Sequence, residues 1–382
     1  MIKRTIFHID INAFFPSVEV IYQPQLANQP FAVGKELRGV ICSANYVART
    51  KGVKAGIPCF KAKQLCPNLI LIPPHFDLYN QYHQAFVHLL RSRFSNLIEV
   101  ASIDECYLDV SRMLTAKLTP TILAKQIQDT IQRELCLGVS IGISYNRFLA
   151  KMGSNYRKPM GLTVINSEED IKKLLWTLPI EKFYMIGPAT AKILHTHDIH
   201  SIGDFAQASP ELIKTLLNKN YLWYLHNIWG WDNTGVNTAV LPNKDISTTY
   251  LFLEDTNNYE VIIDKLRDLC SEIVSRTTDL AATFQTIVLK VRTTDFKWLS
   301  KSRTLAIPIN TFSDLYFHIA ELYESNYEGL KIRSVSVGIK KIIYTLVDKE
   351  VNTTDELVKQ INHKFGKDVV FTGDMLPNGK KV

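Results

Sequence analysis

The chain has little of what marks a secreted, zinc-bound or membrane-spanning protein. Its six cysteines, Cys42, Cys59, Cys66, Cys106, Cys136 and Cys270, are scattered through 382 residues. There is no CxxC pair and no histidine at zinc spacing, which argues against a disulfide framework and for reduced thiols in a cytoplasmic protein. No apolar run approaches ~18 residues, so no transmembrane helix is expected. Met1-Ile2-Lys3-Arg4 leads straight into a strand-like run, without the apolar segment and cleavage site of a signal peptide. Low-complexity tracts are missing as well. Acid is in modest deficit, 37 Asp plus Glu against 44 Lys plus Arg, giving +7. That excess is compatible with a polyanionic partner without requiring one. With 46% hydrophobic and 21% charged residues, the composition is ordinary, and the length allows roughly two to four domains.

Against this background two acidic stretches stand out. Thr5-Ile6-Phe7-His8-Ile9-Asp10 is a β-branched and aromatic run ending in a carboxylate, and Ala101–Val110 is a strand-like run interrupted by Asp104 and Glu105. An irregular stretch reaches to about residue 75. Helical spacing of Leu78, Tyr82, Phe86, Leu89, Leu90 and Phe94 predicts a helix over 76–96. A second helix opens at Thr119 and Pro120 and stops at Gly138. Val139, Ile141 and Ile143 then alternate as a strand. The order β-α-β-β-α-β is the ferredoxin-like pattern, whose first strand runs antiparallel beside the third. Asp10 then adjoins Asp104 and Glu105 at one sheet edge. Three such carboxylates repel one another unless cations lie between them. All-oxygen ligands favour Mg²⁺ or Mn²⁺, a donor set suited to two-metal phosphoryl transfer. A lone Asp-Glu pair at a hairpin tip is more often merely solvated; the approach of Asp10 reverses that balance.

The motifs around these carboxylates carry a resemblance. Phe7-His8-Ile9-Asp10-Ile11-Asn12-Ala13-Phe14-Phe15-Pro16-Ser17-Val18-Glu19 and Ser102-Ile103-Asp104-Glu105 resemble the two catalytic motifs of Y-family DNA polymerases, the DinB/UmuC type of translesion polymerase. Cys42-Ser43-Ala44-Asn45-Tyr46-Val47-Ala48-Arg49, Gly52–Pro58, Gly142-Ile143-Ser144 and Lys158-Pro159-Met160-Gly161 continue the match in order, so that it covers residues 1–165. The resemblance implies an α+β fold: a ferredoxin-like palm (1–13 and 75–165), small fingers (14–74), a helical thumb (166–231), a linker (232–246), a second ferredoxin-like little finger (247–345) and a tail (346–382). It implies two Mg²⁺ ions, with Mn²⁺ able to substitute, on Asp10, Asp104, Glu105 and the Ile11 carbonyl. Phe15 falls at the steric gate against a ribose 2′-hydroxyl, and Phe14 beside the nucleotide. Ser43, Tyr46, Arg49 and Lys158 would hold the triphosphate of a dNTP, chemistry that suits a forked guanidinium, a point charge and hydroxyls. Asn12, where many relatives carry Asp, leans the chain toward the UmuC-like branch.

Beyond residue 165 the reading is looser. Ser167 opens a helix with a capping box, and Ile186-Gly187-Pro188-Ala189-Thr190-Ala191-Lys192 resembles a helix-hairpin-helix turn, with Met185 in place of its usual first glycine. Tyr221, Trp223, Tyr224, Trp229 and Trp231 read as helix-packing core. A second β-α-β-β-α-β set follows, with strands at 247–253, 283–293, 300–307 and 331–341. Basic residues gather on its strands and acidic ones on its helices, which suits a sheet laid on phosphates. Arg292, Lys297, Arg303, Lys331 and Arg333 are the candidate contacts to primer-template DNA. The chain is expected to act as a monomer. A sliding clamp is a further partner of the family, but neither Ile343-Tyr344-Thr345-Leu346-Val347 nor the C-terminal end carries a clear clamp motif. A nucleotide cyclase would share the palm but not the thumb and basic sheet; a non-catalytic nucleic-acid binder would not need the carboxylates.

Overall fold

The computed structural model describes residues 4–35, 38–239 and 243–344, and the chain divides into two units between residues 241 and 242. The first unit opens with β1 (Ile6–Ile11) and α1 (Phe14–Tyr22), then β2 (Phe31–Gly34), β3 (Ile41–Ala44), α2 (Tyr46–Arg49), α3 (Cys59–Leu65) and β4 (Ile70–Ile72). It continues through α4 (Phe76–Arg93), β5 (Ile98–Val100), β6 (Glu105–Asp109), α5 (Pro120–Leu135), β7 (Val139–Ser144), α6 (Arg147–Tyr156) and β8 (Leu162–Ile165). The main sheet has the order β5-β6-β1-β7-β8, which is the ferredoxin-like order with β8 added in parallel to β7.

The two faces of this sheet differ in chemistry. Along β1, Phe7, Ile9 and Ile11 point into a core completed by Phe86, Leu89 and Leu90 of α4 and Leu123, Ile127 and Ile131 of α5. The alternate residues Ile6, His8 and Asp10 point the other way, as the period of a strand requires. Their cross-strand partners on β7 are Ser144, Gly142 and Ser140, all small. A Cβ on Gly142 would sit 1.8 Å from the Ala150 carbonyl oxygen, so α6 lies directly on the strand there. This close approach brings the one cation in the run Phe148–Ser154, Lys151, against the sheet, with all seven residues buried.

Residues 14–74 are more regular than the sequence indicated. They hold a sheet of order β3-β2-β4, whose strands of three or four residues are too short to show alternation. Helix α5 also ends earlier than expected: Cys136, not Gly138, takes the left-handed conformation at its C-cap (φ 56°).

The remainder of the first unit is helical: α7 (Glu168–Asp170), α8 (Pro188–His195), α9 (Ile202–Gln207), α10 (Pro210–Leu217) and α11 (Tyr221–Ile228). The capping box at Ser167 and Asp170 is present. Leu175, Ile180, Phe183, Leu194, Phe205, Ile213, Tyr224 and Ile228 form its core; Trp223 and Trp231 are exposed.

The second unit comprises β9 (Asp245–Thr256), α12 (Tyr259–Asp279), β10 (Ala282–Thr293), β11 (Trp298–Ile309), α13 (Phe312–Tyr327) and β12 (Ile332–Tyr344). Its antiparallel sheet has the order β11-β10-β12-β9. Ile287, Leu289, Val291, Val335, Val337 and Ile339 face the two helices. The alternate row, Val288, Lys290 and Arg292 with Gly338, Ser336 and Ser334 opposite, forms the other face. The proposed tail, 346–382, lies outside the described residues. Among the described residues no helix is long and apolar enough to cross a membrane.

Candidate active site

The antiparallel register pairs Asp10 with Glu105 and His8 with Tyr107, on the face that α6 covers. Asp104 precedes β6 in a bend, its backbone carbonyl accepting from Ile11 N at 2.9 Å. The bend lets adjacent residues Asp104 and Glu105 escape the strict alternation of a strand. The topology therefore brings the three carboxylates to one edge, and each is held by its own partner. Lys158 Nζ lies 2.6 Å from Asp10 Oδ1, Lys151 Nζ 2.5 Å from Glu105 Oε2, and Ser102 Oγ donates to Asp104 Oδ1 at 2.6 Å. Among the described residues no three His, Cys, Asp or Glu side chains are gathered closely enough to grip an ion as they stand.

Burial sets the electrostatics. It raises the Asp10 carboxyl above its ordinary value despite Lys158, and the charges of Asp104 and Glu105 push in the same direction. Burial alone would raise Glu105 too, but contacts with His8 and Lys151 outweigh it and bring that carboxyl down to about 2. His8 Nε2 stands 3.4 Å from Glu105 Oε2, and Lys151 approaches the same oxygen more closely. His8 itself is fully buried and is lowered to about 4, chiefly by burial. Its Nδ1 contacts Ser154 Oγ at 2.7 Å, which ties β1 to α6. The donor set is hard oxygen and mutually repulsive, as a divalent cation site requires; both ammonium groups would have to yield part of their contact to a metal ion.

The phosphate-side candidates sit nearby in sequence order but in different roles. Arg49 Nε donates to the Ala44 carbonyl at 2.9 Å, and its guanidinium lies 4.9 Å from the Tyr46 ring. Tyr46 Oη is buried without a hydrogen-bond partner, an acceptor and donor left open. Ser43 is half-buried on β3. Phe14 and Phe15 do not alternate along an extended segment. Ala13 is left-handed (φ 45°) and α1 begins at Phe14, so helical rotation separates the two rings. Phe14 is buried in the core, and Phe15 stacks on Tyr79 with ring centres 4.2 Å apart and 13° between planes.

In the second unit the candidates split. Arg292 lies on the face away from the helices, its guanidinium over Phe296 and Trp298 at 5.1 and 5.6 Å. Arg333, at a bulge, stacks on the same Phe296 at 4.5 Å and lies 3.6 Å from Asp255. Lys331 is exposed, and Lys297, in the β10–β11 turn, pairs with Asp295 at 2.8 Å. Arg303 does not join them. Its cross-strand partner is Ile287, so it faces the helices and bonds to Glu321 Oε2 at 2.5 Å.

Lys151 and His8 were not among the sequence candidates. The available signal was a lysine inside the otherwise uncharged run Phe148–Tyr156, seven residues before Lys158: a cation on an apolar helix face needs a buried partner.

The profile of the impB/mucB/samB family matches residues 9–155, that of its C-terminal domain residues 243–355, and that of its helix-hairpin-helix motif residues 168–199. The chain belongs to this family, the Y-family of DNA-directed DNA polymerases, in its DinB-type branch. It is 35% identical to DNA polymerase IV 1 of Halalkalibacterium halodurans over 99% of this chain and 95% of that one. Among solved structures, a Y-family DNA polymerase chimera aligns with TM-score 0.77 at 25% identity, covering 89% of this chain and all of the other. An insertion ternary complex of Dbh DNA polymerase aligns with TM-score 0.60 at 25% identity and the same coverage.

Two details follow. The lean toward the UmuC-like branch on Asn12 is corrected by these relatives, and the structure gives the residue a local task. Asn12 Nδ2 donates to Ser140 Oγ and Oδ1 accepts from Met160 N, both at 2.8 Å, a pairing that uses the donor and the acceptor of an amide. Met185, where the hairpin motif usually has glycine, still adopts the left-handed conformation (φ 76°), so the turn geometry survives the substitution.

Proposed function

We propose that the chain is a low-fidelity translesion polymerase that adds deoxynucleotides to a primer 3′ end in template order, by two-metal phosphoryl transfer and without proofreading. The observation that carries this reading is the pairing of Asp10 with Glu105 beside Asp104, under two lysines. Two Mg²⁺ ions, or Mn²⁺ in their place, held by Asp10, Asp104, Glu105 and the Ile11 carbonyl, would supply Lewis-acid stabilisation of the attacking and leaving oxygens. The chain's own residues do the rest. Lys158 moves its charge from Asp10 to the triphosphate, and Arg49, Tyr46 and Ser43 complete the phosphate cradle. Lys151 keeps Glu105 ionised and fixed. Phe15 lies beneath the sugar.

The palm is assigned to residues 1–13 and 75–165, the fingers to 14–74, the thumb to 166–231, a linker to 232–246 and the little finger to 247–345. Helix α1 crosses the first of these boundaries, since Phe14 and Val18 pack in the palm core. On the little finger, Arg292 with Lys290 and Lys340 on its face, and Lys297, Lys331 and Arg333 near one end, would meet the DNA backbone. Arg303 is withdrawn from that set.

Primer extension tests the reading. Asp104→Ala is expected to abolish nucleotide addition while primer-template binding, measured by fluorescence anisotropy, persists, because a lost ligand removes transition-state stabilisation and not remote phosphate contacts. Extension by the purified variant near the parent rate would refute the assignment.

A further inference from the structure

A steric gate discriminates only if its ring resists being pushed aside, and nothing in Phe15 itself supplies that resistance. Phe15 sits in the first turn of α1, half-buried, where a change of side-chain rotamer would swing the ring away from a bulkier sugar. Its support comes from α4. Tyr79 is fully buried and lies face to face with Phe15, while Phe76 meets Phe15 edge-on, with ring centres 6.1 Å apart and planes at 84°. The Tyr79 hydroxyl donates to Glu19 Oε1. Glu19, a carboxylate only 1% exposed, is four residues beyond Phe15 on α1 and so lies on the same helical face. His75 Nδ1 contacts the same oxygen at 2.8 Å. Tyr79 is thereby fixed to α1 at both ends, its ring by Phe15 and its hydroxyl by Glu19. A buried carboxylate is costly unless paired, and the proposed phosphoryl transfer makes no use of Glu19.

We propose that Tyr79, anchored by Glu19, is a positioning residue for sugar selection: it backs the Phe15 ring and so sets how strongly a ribonucleotide is refused. This rests on the reading of Phe15 as the gate. The backing is a ring stack, and its loss is expected to cost about one decade of discrimination, about 1.4 kcal/mol.

The test is single-nucleotide primer extension, comparing kcat/KM for one deoxynucleotide with that for its ribonucleotide. Tyr79→Leu, which removes the flat ring, is expected to raise the ribonucleotide share about tenfold; a parent ratio in this variant, shown folded by its melting curve, overturns the inference. Tyr79→Phe and Glu19→Gln keep side chains of nearly the same size and weaken only the anchor. Each is expected to raise the share about threefold, between the parent and the full loss of the stack. They decide the matter if Tyr79→Leu does not fold, and a parent ratio in both overturns the inference. Phe15→Ala separates the two readings. If it leaves the ratio unchanged, Phe15 is not the gate. If it raises the ribonucleotide share while the Tyr79 and Glu19 variants stay flat, the gate stands and the backing falls. In the Phe15→Ala background, Tyr79→Leu is expected to add nothing; a further tenfold rise would show that Tyr79 acts on the sugar independently.

Discussion

Replacing Lys151 by Met tests whether this lysine holds Glu105 in the way the geometry indicates. The pair is well covered, with side chains 9% and 18% exposed, so removal leaves a buried carboxylate without its nearest countercharge. The depression of the Glu105 carboxyl from 4.5 to about 2 is worth at most about 3 kcal/mol. Partial solvent access, and the share of the depression that His8 carries, lower this to at most about 2 kcal/mol. In a unit of this size that corresponds to a fall of about 4–8 °C in the melting temperature. The pH dependence gives the sharper signature. A carboxyl with a depressed folded value stabilises fully above its ordinary value of 4.5 and loses that contribution as pH falls toward about 2. In Lys151→Met the Lys151 share of that depression is lost while burial and the His8 contact remain, so part of the stabilisation is missing at neutral pH. The difference between the proteins is therefore largest near pH 7 and shrinks to about half by about pH 3.5. His8, whose value drops from 6.5 to about 4, makes both proteins acid-sensitive and largely cancels in the difference. Loss of the Lys151 contact with the Tyr184 ring, 5.0 Å away, adds a part independent of pH. Melting curves of parent, Lys151→Met, Glu105→Gln and the double variant between pH 3.5 and 7 decide it. An equal difference at both ends, or an equal cost of Lys151→Met in the Glu105→Gln background, would refute the pairing as the source.

Other expectations follow from the same geometry. Arg292→Ala with Lys340→Ala is expected to weaken primer-template binding and to flatten the slope of log affinity against log salt by up to about 0.9 per lost phosphate contact; an unchanged slope in a salt titration would mean that this face does not meet DNA. Gly142→Ala places a methyl 1.8 Å from the Ala150 carbonyl, so it is expected to destabilise the first unit by about 3 kcal/mol or more, seen in denaturant unfolding.

How much of this was legible depended on element length. The second unit was read almost strand for strand, because alternation over runs such as Ala282–Thr293 repeats often enough to be unambiguous. The sheet β3-β2-β4 was not, since three or four residues hold one or two periods at most. The start of α1 gave no sign either: Ala13 offers no side-chain cap. Counting charges on strands admitted Arg292, which lies on the face away from the helices, together with Arg303, which does not, because parity is fixed only by register, and register rests on pairing with Ile287.

The carboxylates were legible because topology alone places Asp10 against Glu105. What neutralises them was not, since it arrives from a helix packed across the sheet. That packing has a cause in the sequence. The residues of β7 on the α6 side, Ser140, Gly142 and Ser144, are small, while Val139, Ile141 and Ile143 fill the opposite core. A larger side chain at Gly142 would hold α6 away from the strand and carry Lys151 away from Glu105, and Ser154 from His8. The depressed carboxyl of Glu105 thus depends in part on small residues two strands away from it, Gly142 above all. A Val at Gly142 is a change in electrostatics as much as in packing.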